Sequence, residues 1–175
     1  MSAALERQGD FDLVTPELPA QALRELEAFL FEEARCLDEK QFERWVELFD
    51  DDGIYWVPSE AGQSSPEGTL SIFYEDRPLL LMRARRLGHP QTLVQVPASR
   101  THHHVGGVRA SATGPEEYAV DSMLLMAEWR GGEQRLFSGR CSYRIRRTAA
   151  GLRIAFKRVD LLNCDAPHRA IAIPF

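Results

Sequence analysis

Between residues 20 and 37 the apolar positions recur at helical spacing. Leu23, Leu26, Leu30, Ala34 and Leu37 form one stripe, and Glu25, Glu32 and Glu33 fall away from it. Asp38 then stands where a second helix would need an N-cap. In that helix Phe42, Trp45, Val46 and Phe49 lie at i, i+3, i+4 and i+7. The run Asp50-Asp51-Asp52-Gly53 is expected to stop it, because carboxylates at a helix C-terminus oppose the macrodipole and glycine permits a reversal. Residues 54–57 are β-branched and aromatic and predict a strand, closed by Pro58. Residues 59–69 have loop composition. A third helix is expected over 74–87, with Pro78 as an alternative start and Gly88-His89-Pro90 as its stop.

The second half changes period. Segments near 93–112, 118–130, 134–147 and 152–164 have strand character, with reversals at Gly114-Pro115 and Gly131-Gly132. Phe137, Gly139, Cys141, Tyr143 and Ile145 alternate with Ser138, Arg140, Ser142, Arg144 and Arg146, as in a half-buried antiparallel strand. Leu152, Ile154 and Phe156 alternate in the same way against Arg153 and Lys157. Gly106-Gly107 inside a strand pattern marks a bulge or a close backbone approach. Helices first and strands afterwards argue an α+β fold, with a curved, mostly antiparallel sheet wrapped around the N-terminal helices. Residues 1–18 are polar and Pro-interrupted and read as an N-terminal arm, leaving 19–175 as a single domain.

Composition narrows the function classes. The chain has 175 residues and a net charge of −5 with both signs interspersed, so no nucleic-acid or anionic-membrane partner is expected. The first ten residues lack an apolar core, and no apolar run approaches the roughly 18 residues of a membrane span. The three cysteines, Cys36, Cys141 and Cys164, are widely spaced and fit reduced thiols in a cytoplasmic protein.

Three constellations could carry chemistry. A Rieske iron–sulfur centre needs two Cys and two His in close pairs, and no cysteine here has a histidine two or three positions away. His102-His103-His104 is the most conspicuous polar cluster. On a strand His102 and His104 share one face and His103 points to the other. Such a pair could supply two metal ligands, or it could simply hold strand or interface hydrogen bonds. A pocket using Tyr55, His102 or His104, and Asp121 as acid, base and orienter would suit a stand-alone dehydratase or isomerase. A small-molecule binding module is a third possibility. No dinucleotide fingerprint, P-loop or nucleophile elbow occurs.

Several stretches taken in order resemble one family. Glu33-Ala34, Leu37-Asp38, Trp45, Leu48-Phe49, Tyr55-Trp56 and Pro58 look like the opening of the small (beta) subunit of aromatic-ring-hydroxylating (Rieske non-haem iron) dioxygenases. Asp76-Arg77, Arg83 and Arg86-Leu87 resemble its next helix with looser spacing. The strand at 97–101, the F-x-G-R strand at Phe137 to Arg140 and the closing stretch at 151–165 are similar too. The sequence departs from the family at 102–108, where paired glycines replace its usual S-N-V.

The resemblance implies an NTF2-like, cystatin-like cone and a non-catalytic, structural role. It implies a catalytic alpha subunit as partner in an α3β3 hexamer, with the beta chains forming a trimer. The Rieske 2Fe–2S cluster and the mononuclear Fe(II) would then lie on the alpha subunit, with no cofactor or metal on this chain. The whole complex would add O2 to an aromatic ring to give a cis-dihydrodiol. An obligate interface buries more than about 2,000 Å² and favours apolar and arginine anchors. Arg100, Arg140, Arg144 and the apolar segment 171–175, with Ile173 and Phe175, are the candidates.

Overall fold

The computed structural model describes residues 18–89 and 95–175. The expected arm at 1–18 falls, but for its last residue, outside the described residues, as does the start of the strand expected from 93.

Among the described residues three helices and six strands follow in the order α1 (Ala20–Asp38), α2 (Phe42–Glu47), β1 (Phe49–Pro58), β2 (Ser71–Asp76), α3 (Arg77–Gly88), β3 (Arg100–Gly114), β4 (Glu117–Arg130), β5 (Glu133–Thr148) and β6 (Gly151–Leu161). All six strands join one sheet in the order β2-β1-β6-β5-β4-β3. Among the described strands only β1 and β6, second and third in that order, pair in parallel. The sheet curves over α1, which lies against β3, while α2 packs on α3. This is the α+β architecture that the change of period predicts.

The inner face of β4 and β5 follows the two-residue alternation. Val120, Leu124 and Met126 on one strand and Phe137, Cys141, Tyr143 and Ile145 on the other are buried. Trp45 sits at the centre of an aromatic cluster, edge-on to Phe49 at 5.2 Å and to Tyr55 at 5.6 Å, with Tyr55 stacked on Phe73 at 5.8 Å. Such geometries add to the area-driven burial of each ring.

Four local expectations are corrected. Helix α2 ends at Glu47, and Phe49 to Asp52 already belong to β1. The acidic run is therefore not a helix stop. Its charge is met across the sheet by Arg146, whose guanidinium lies 2.9 Å from Asp50 and 2.7 Å from Asp52. Gly53 does not reverse the chain either. It is buried in β1, where a Cβ would stand 2.7 Å from the main-chain oxygen of Ile154, so side-chain absence rather than backbone freedom selects glycine. Asp38 is the last residue of α1, and the N-cap of α2 is Gln41, without a side-chain bond.

Tyr74, expected in the third helix, lies on β2. Asp76 caps α3, accepting the Leu79 N–H at 3.0 Å, and Pro78 occupies the first turn. Pro78, the alternative start, thus marks the helix better than Tyr74 does. At Gly106-Gly107 the β3–β4 register shifts, and Gly107 adopts φ 59°. That is a bulge requiring a left-handed backbone.

Candidate functional site

The cone interior holds the largest concentration of buried polar groups. Glu33 and Lys157 meet there at 2.7 Å, each side chain only 3% exposed. Trp45 Nε1 donates to Glu33 Oε1 at 3.1 Å, and the Tyr143 hydroxyl donates to Glu33 Oε2 at 3.0 Å. Burial is tolerable because both carboxylate oxygens are occupied.

Two local features bring this pair together. Leu26, Leu30, Glu33 and Leu37 are spaced by four, three and four residues, so Glu33 lies on the buried stripe of α1 instead of away from it. On β6 the alternation slips. Ile154 pairs with Ile145 and Phe156 with Arg144, leaving Ala155 as an extra residue. A one-residue slip turns every later side chain to the other face. Lys157 therefore points into the core, and Phe156 is only partly buried, contrary to the strand pattern read from sequence.

Residues 172–175 close the cone. Ala172, Ile173 and Phe175 are 4%, 2% and 1% exposed, and the Phe175 ring packs edge-on against Phe137 at 5.1 Å. The main chain is pinned by side chains. Lys157 donates to the Phe175 oxygen at 2.6 Å, and the Phe175 N–H donates to the Tyr55 hydroxyl at 3.0 Å. His103 Nε2 lies 3.1 Å from the Pro174 oxygen. Ile173 and Phe175 were expected as interface anchors. They are instead consumed inside their own chain, because the buried hydrogen bonds fold the segment back into the cone.

His103 links that segment to α1. Its Nδ1 lies 2.6 Å from Asp38 Oδ1, and its main-chain N–H donates to Asp38 Oδ2 at 2.9 Å. Thr101 adds a bond to Asp38 at 3.0 Å. Burial acts to raise the Asp38 pKa, but the bonds from His103 and Thr101 outweigh it and hold the carboxyl below its ordinary value.

The acid–base set proposed from sequence does not converge. Tyr55 is buried and engaged by Phe175, and burial pushes its phenol well above the ordinary value. His102 and His104 lie on the exposed outer side of β3. Asp121 is also outward and accepts from the Ser142 hydroxyl at 2.7 Å. The member of the histidine cluster that enters the interior is His103. The space left among Leu30, Glu33, His103, Tyr143, Lys157 and Phe175 is about 10 Å³, about one water and no substrate.

The thiols of Cys36 and Cys141 are pushed up to about 11, first by burial. Among the described residues no three His, Cys, Asp or Glu side chains gather as a ligand set. No described helix is long and apolar enough to cross a membrane.

Arg100, Arg140 and Arg144 are exposed on the outer sheet face. They are placed where a partner could reach them, unlike the apolar segment with which they were grouped.

Comparison with known proteins gives the same architecture a family. A solved beta subunit of benzoate 1,2-dioxygenase from Burkholderia mallei superimposes with a TM-score of 0.71 at 24% identity, over 83% of this chain and 94% of that one. An NTF2-like protein with a cystatin-like fold from Novosphingobium aromaticivorans gives 0.59 at 17% identity, over 82% and 83% of the two chains. These likenesses show the cone fold. In sequence, the small oxygenase component of the p-cumate 2,3-dioxygenase system of Pseudomonas putida is 34% identical over 152 residues, 85% of this chain and 84% of that one. The family profile described as the ring hydroxylating beta subunit matches residues 32–167, from the second half of α1 through the turn after β6. The chain belongs to the family of ring-hydroxylating dioxygenase beta subunits.

Proposed function

We propose that this chain is the non-catalytic, structural beta subunit of an aromatic-ring-hydroxylating dioxygenase. The reaction of the complex adds both atoms of O2 to an aromatic ring and yields a cis-dihydrodiol. A catalytic alpha subunit carries the Rieske cluster and the mononuclear Fe(II). This chain supplies assembly in an α3β3 hexamer in the cytoplasm, with Arg100, Arg140 and Arg144 as contact residues.

One observation carries the reading beyond family membership. The place where a cone of this kind could hold a substrate is filled by Phe175 and sealed by the Glu33–Lys157 pair. A chain that invests its interior polar groups in holding its own main chain has left none arranged for turnover. The alpha subunit can be recognised by C-x-H and C-x-x-H cysteine–histidine pairs in a neighbouring reading frame.

The test is reconstitution. The purified chain alone is expected to hold no stoichiometric iron after washing and to consume no O2 with an aromatic compound. Adding it to its alpha subunit with reductase and NAD(P)H should restore dihydrodiol formation. Turnover by the isolated chain, or full activity of the alpha subunit without it, overturns the proposal.

A further inference from the structure

Both ring nitrogens of His103 face acceptors. Nδ1 lies 2.6 Å from Asp38 Oδ1, and Nε2 lies 3.1 Å from the Pro174 oxygen. A neutral imidazole has one donor and one acceptor nitrogen, and only the doubly protonated ring donates from both. Neither partner can supply the missing proton. A main-chain carbonyl carries none. Asp38 is held below its ordinary value, so it is a carboxylate at neutrality. Its other bonds come from donors, the Thr101 hydroxyl and the His103 main-chain N–H. The His103 side chain is only 1% exposed, so solvent cannot satisfy a nitrogen left without a partner.

The other charged groups around the ring are already matched. On α1, Glu33 is paired at 2.7 Å with Lys157 of β6, which also holds the Phe175 oxygen. On β4, Met126 stands opposite His103. Glu128, the next inward position, is paired with Arg135 of β5 and accepts from Ser99 at 2.7 Å. Cys141 and Tyr143 of β5 line the same space, and burial raises both, so they stay neutral where imidazoles titrate. Among the described residues that leaves Asp38 two candidate counter-ions. One is His103. The other is His102, whose Nδ1 lies 3.7 Å from Asp38 Oδ2 but whose side chain is 81% exposed and screened by solvent.

We infer that His103 sits in the fold as an imidazolium whose charge latches residues 172–175 to α1, so that deprotonation of the ring loosens this closing segment. The inference is independent of the beta-subunit reading and can fail without it. Raising the pH passes the Nε2 proton to solvent base, because the Nδ1–H faces the carboxylate and makes the charge-assisted bond. A nitrogen lone pair then faces the Pro174 oxygen. The segment keeps its bonds to Lys157 and Tyr55 and loses the one from β3. The latched form binds the extra proton, so its contribution is present on the acid side of the ring's titration and is lost as pH rises through it. In strong acid, protonation of Asp38 removes the partner of Nδ1, so the latch is strongest between the two titrations.

Nitrogen NMR of the full chain with ring-labelled histidine reads the proton directly. His103→Gln identifies the signal, and the through-bond connection to the His103 amide identifies it independently. At pH 7 both ring nitrogens of His103 should be of the protonated type. The Phe175 N–H, which donates to Tyr55, reports the segment. Over the range in which the ring titrates, about pH 6 to 9, its exchange protection should fall at least about tenfold, as expected for loss of one charged hydrogen bond. The Ile154 N–H, bonded to the Leu48 oxygen, should keep its protection. His102→Gln should change neither result. A lone-pair nitrogen on His103 at pH 7 overturns the inference, as does Phe175 protection that does not follow the ring's titration. A parallel loss at Ile154 would mean unfolding of the whole chain and also overturns it. So does a pH dependence abolished by His102→Gln, which would assign the charge to that exposed neighbour.

Discussion

Lys157 has two obligations inside the cone, to Glu33 and to the Phe175 oxygen, and both vanish on truncation. Lys157→Met should leave Glu33 buried with only Trp45 and Tyr143 as donors. Breaking one side of a buried pair costs about 3–5 kcal/mol, and urea denaturation should show a loss of that size. Replacing both partners, Glu33→Leu with Lys157→Met, should cost less than the single change, because no unpaired charge remains. Asp38 offers a pH signature. Its folded pKa lies below the ordinary 3.8. Its contribution is therefore present in full above the ordinary carboxylate range and is lost as pH falls through the folded value. Asp38→Asn should lower the melting temperature at pH 7, and the gap to the parent chain should narrow as pH drops below about 4. A gap that stays constant into acid would show that the carboxylate charge is irrelevant to the His103 contact.

At the scale of elements, two features shape the site, the β6 bulge and the closing segment. The bulge at Ala155 converts a lysine that reads as solvent-facing into the counter-ion of Glu33. The closing segment is held by side chains from three strands, Tyr55 on β1, His103 on β3 and Lys157 on β6. It therefore ties together strands that are not all neighbours in the sheet. Phe175→Ala keeps the main-chain bonds but empties the ring site beside Phe137. Removing a buried aromatic ring costs about 3–5 kcal/mol. Calorimetry should register that loss in the isolated chain. A near-zero effect would mean that the ring does not fill the core.

For the whole molecule, the filled cone and the outer sheet face point the same way. Most interior polar groups are spent on the fold, and the exposed apolar and cationic groups lie outside, where a partner could reach them. Titrating the chain into its alpha subunit should saturate activity at one chain per alpha chain, as equal numbers in a hexamer require. Saturation at another ratio would exclude the α3β3 arrangement. Much of this was legible along the chain. The helical stripe, the alternation of β5 and the motifs from Glu33 to Asp165 led to the cone and the family, and the family profile covers 32–167. The placement of the proposed anchors was only half legible. Arg100, Arg140 and Arg144 are outward as expected, whereas Ile173 and Phe175 are buried. An apolar segment shows that it must be covered, but not by which surface.

The sequence by itself determined the periodicities, and with them most element types, the order of helices before strands and the inward set of β5. Those follow from local geometry, 3.6 residues per helical turn and two per strand repeat. Only the tertiary structure decided what depends on phase and on distant partners. A single extra residue at Ala155 reverses β6, Asp38 leaves a capping role for a histidine 65 positions away, and the last residues turn inward to meet Lys157. Hydrogen bonds between residues far apart in sequence leave no periodic trace, so the interior of the cone could be seen only once the sheet had closed around it.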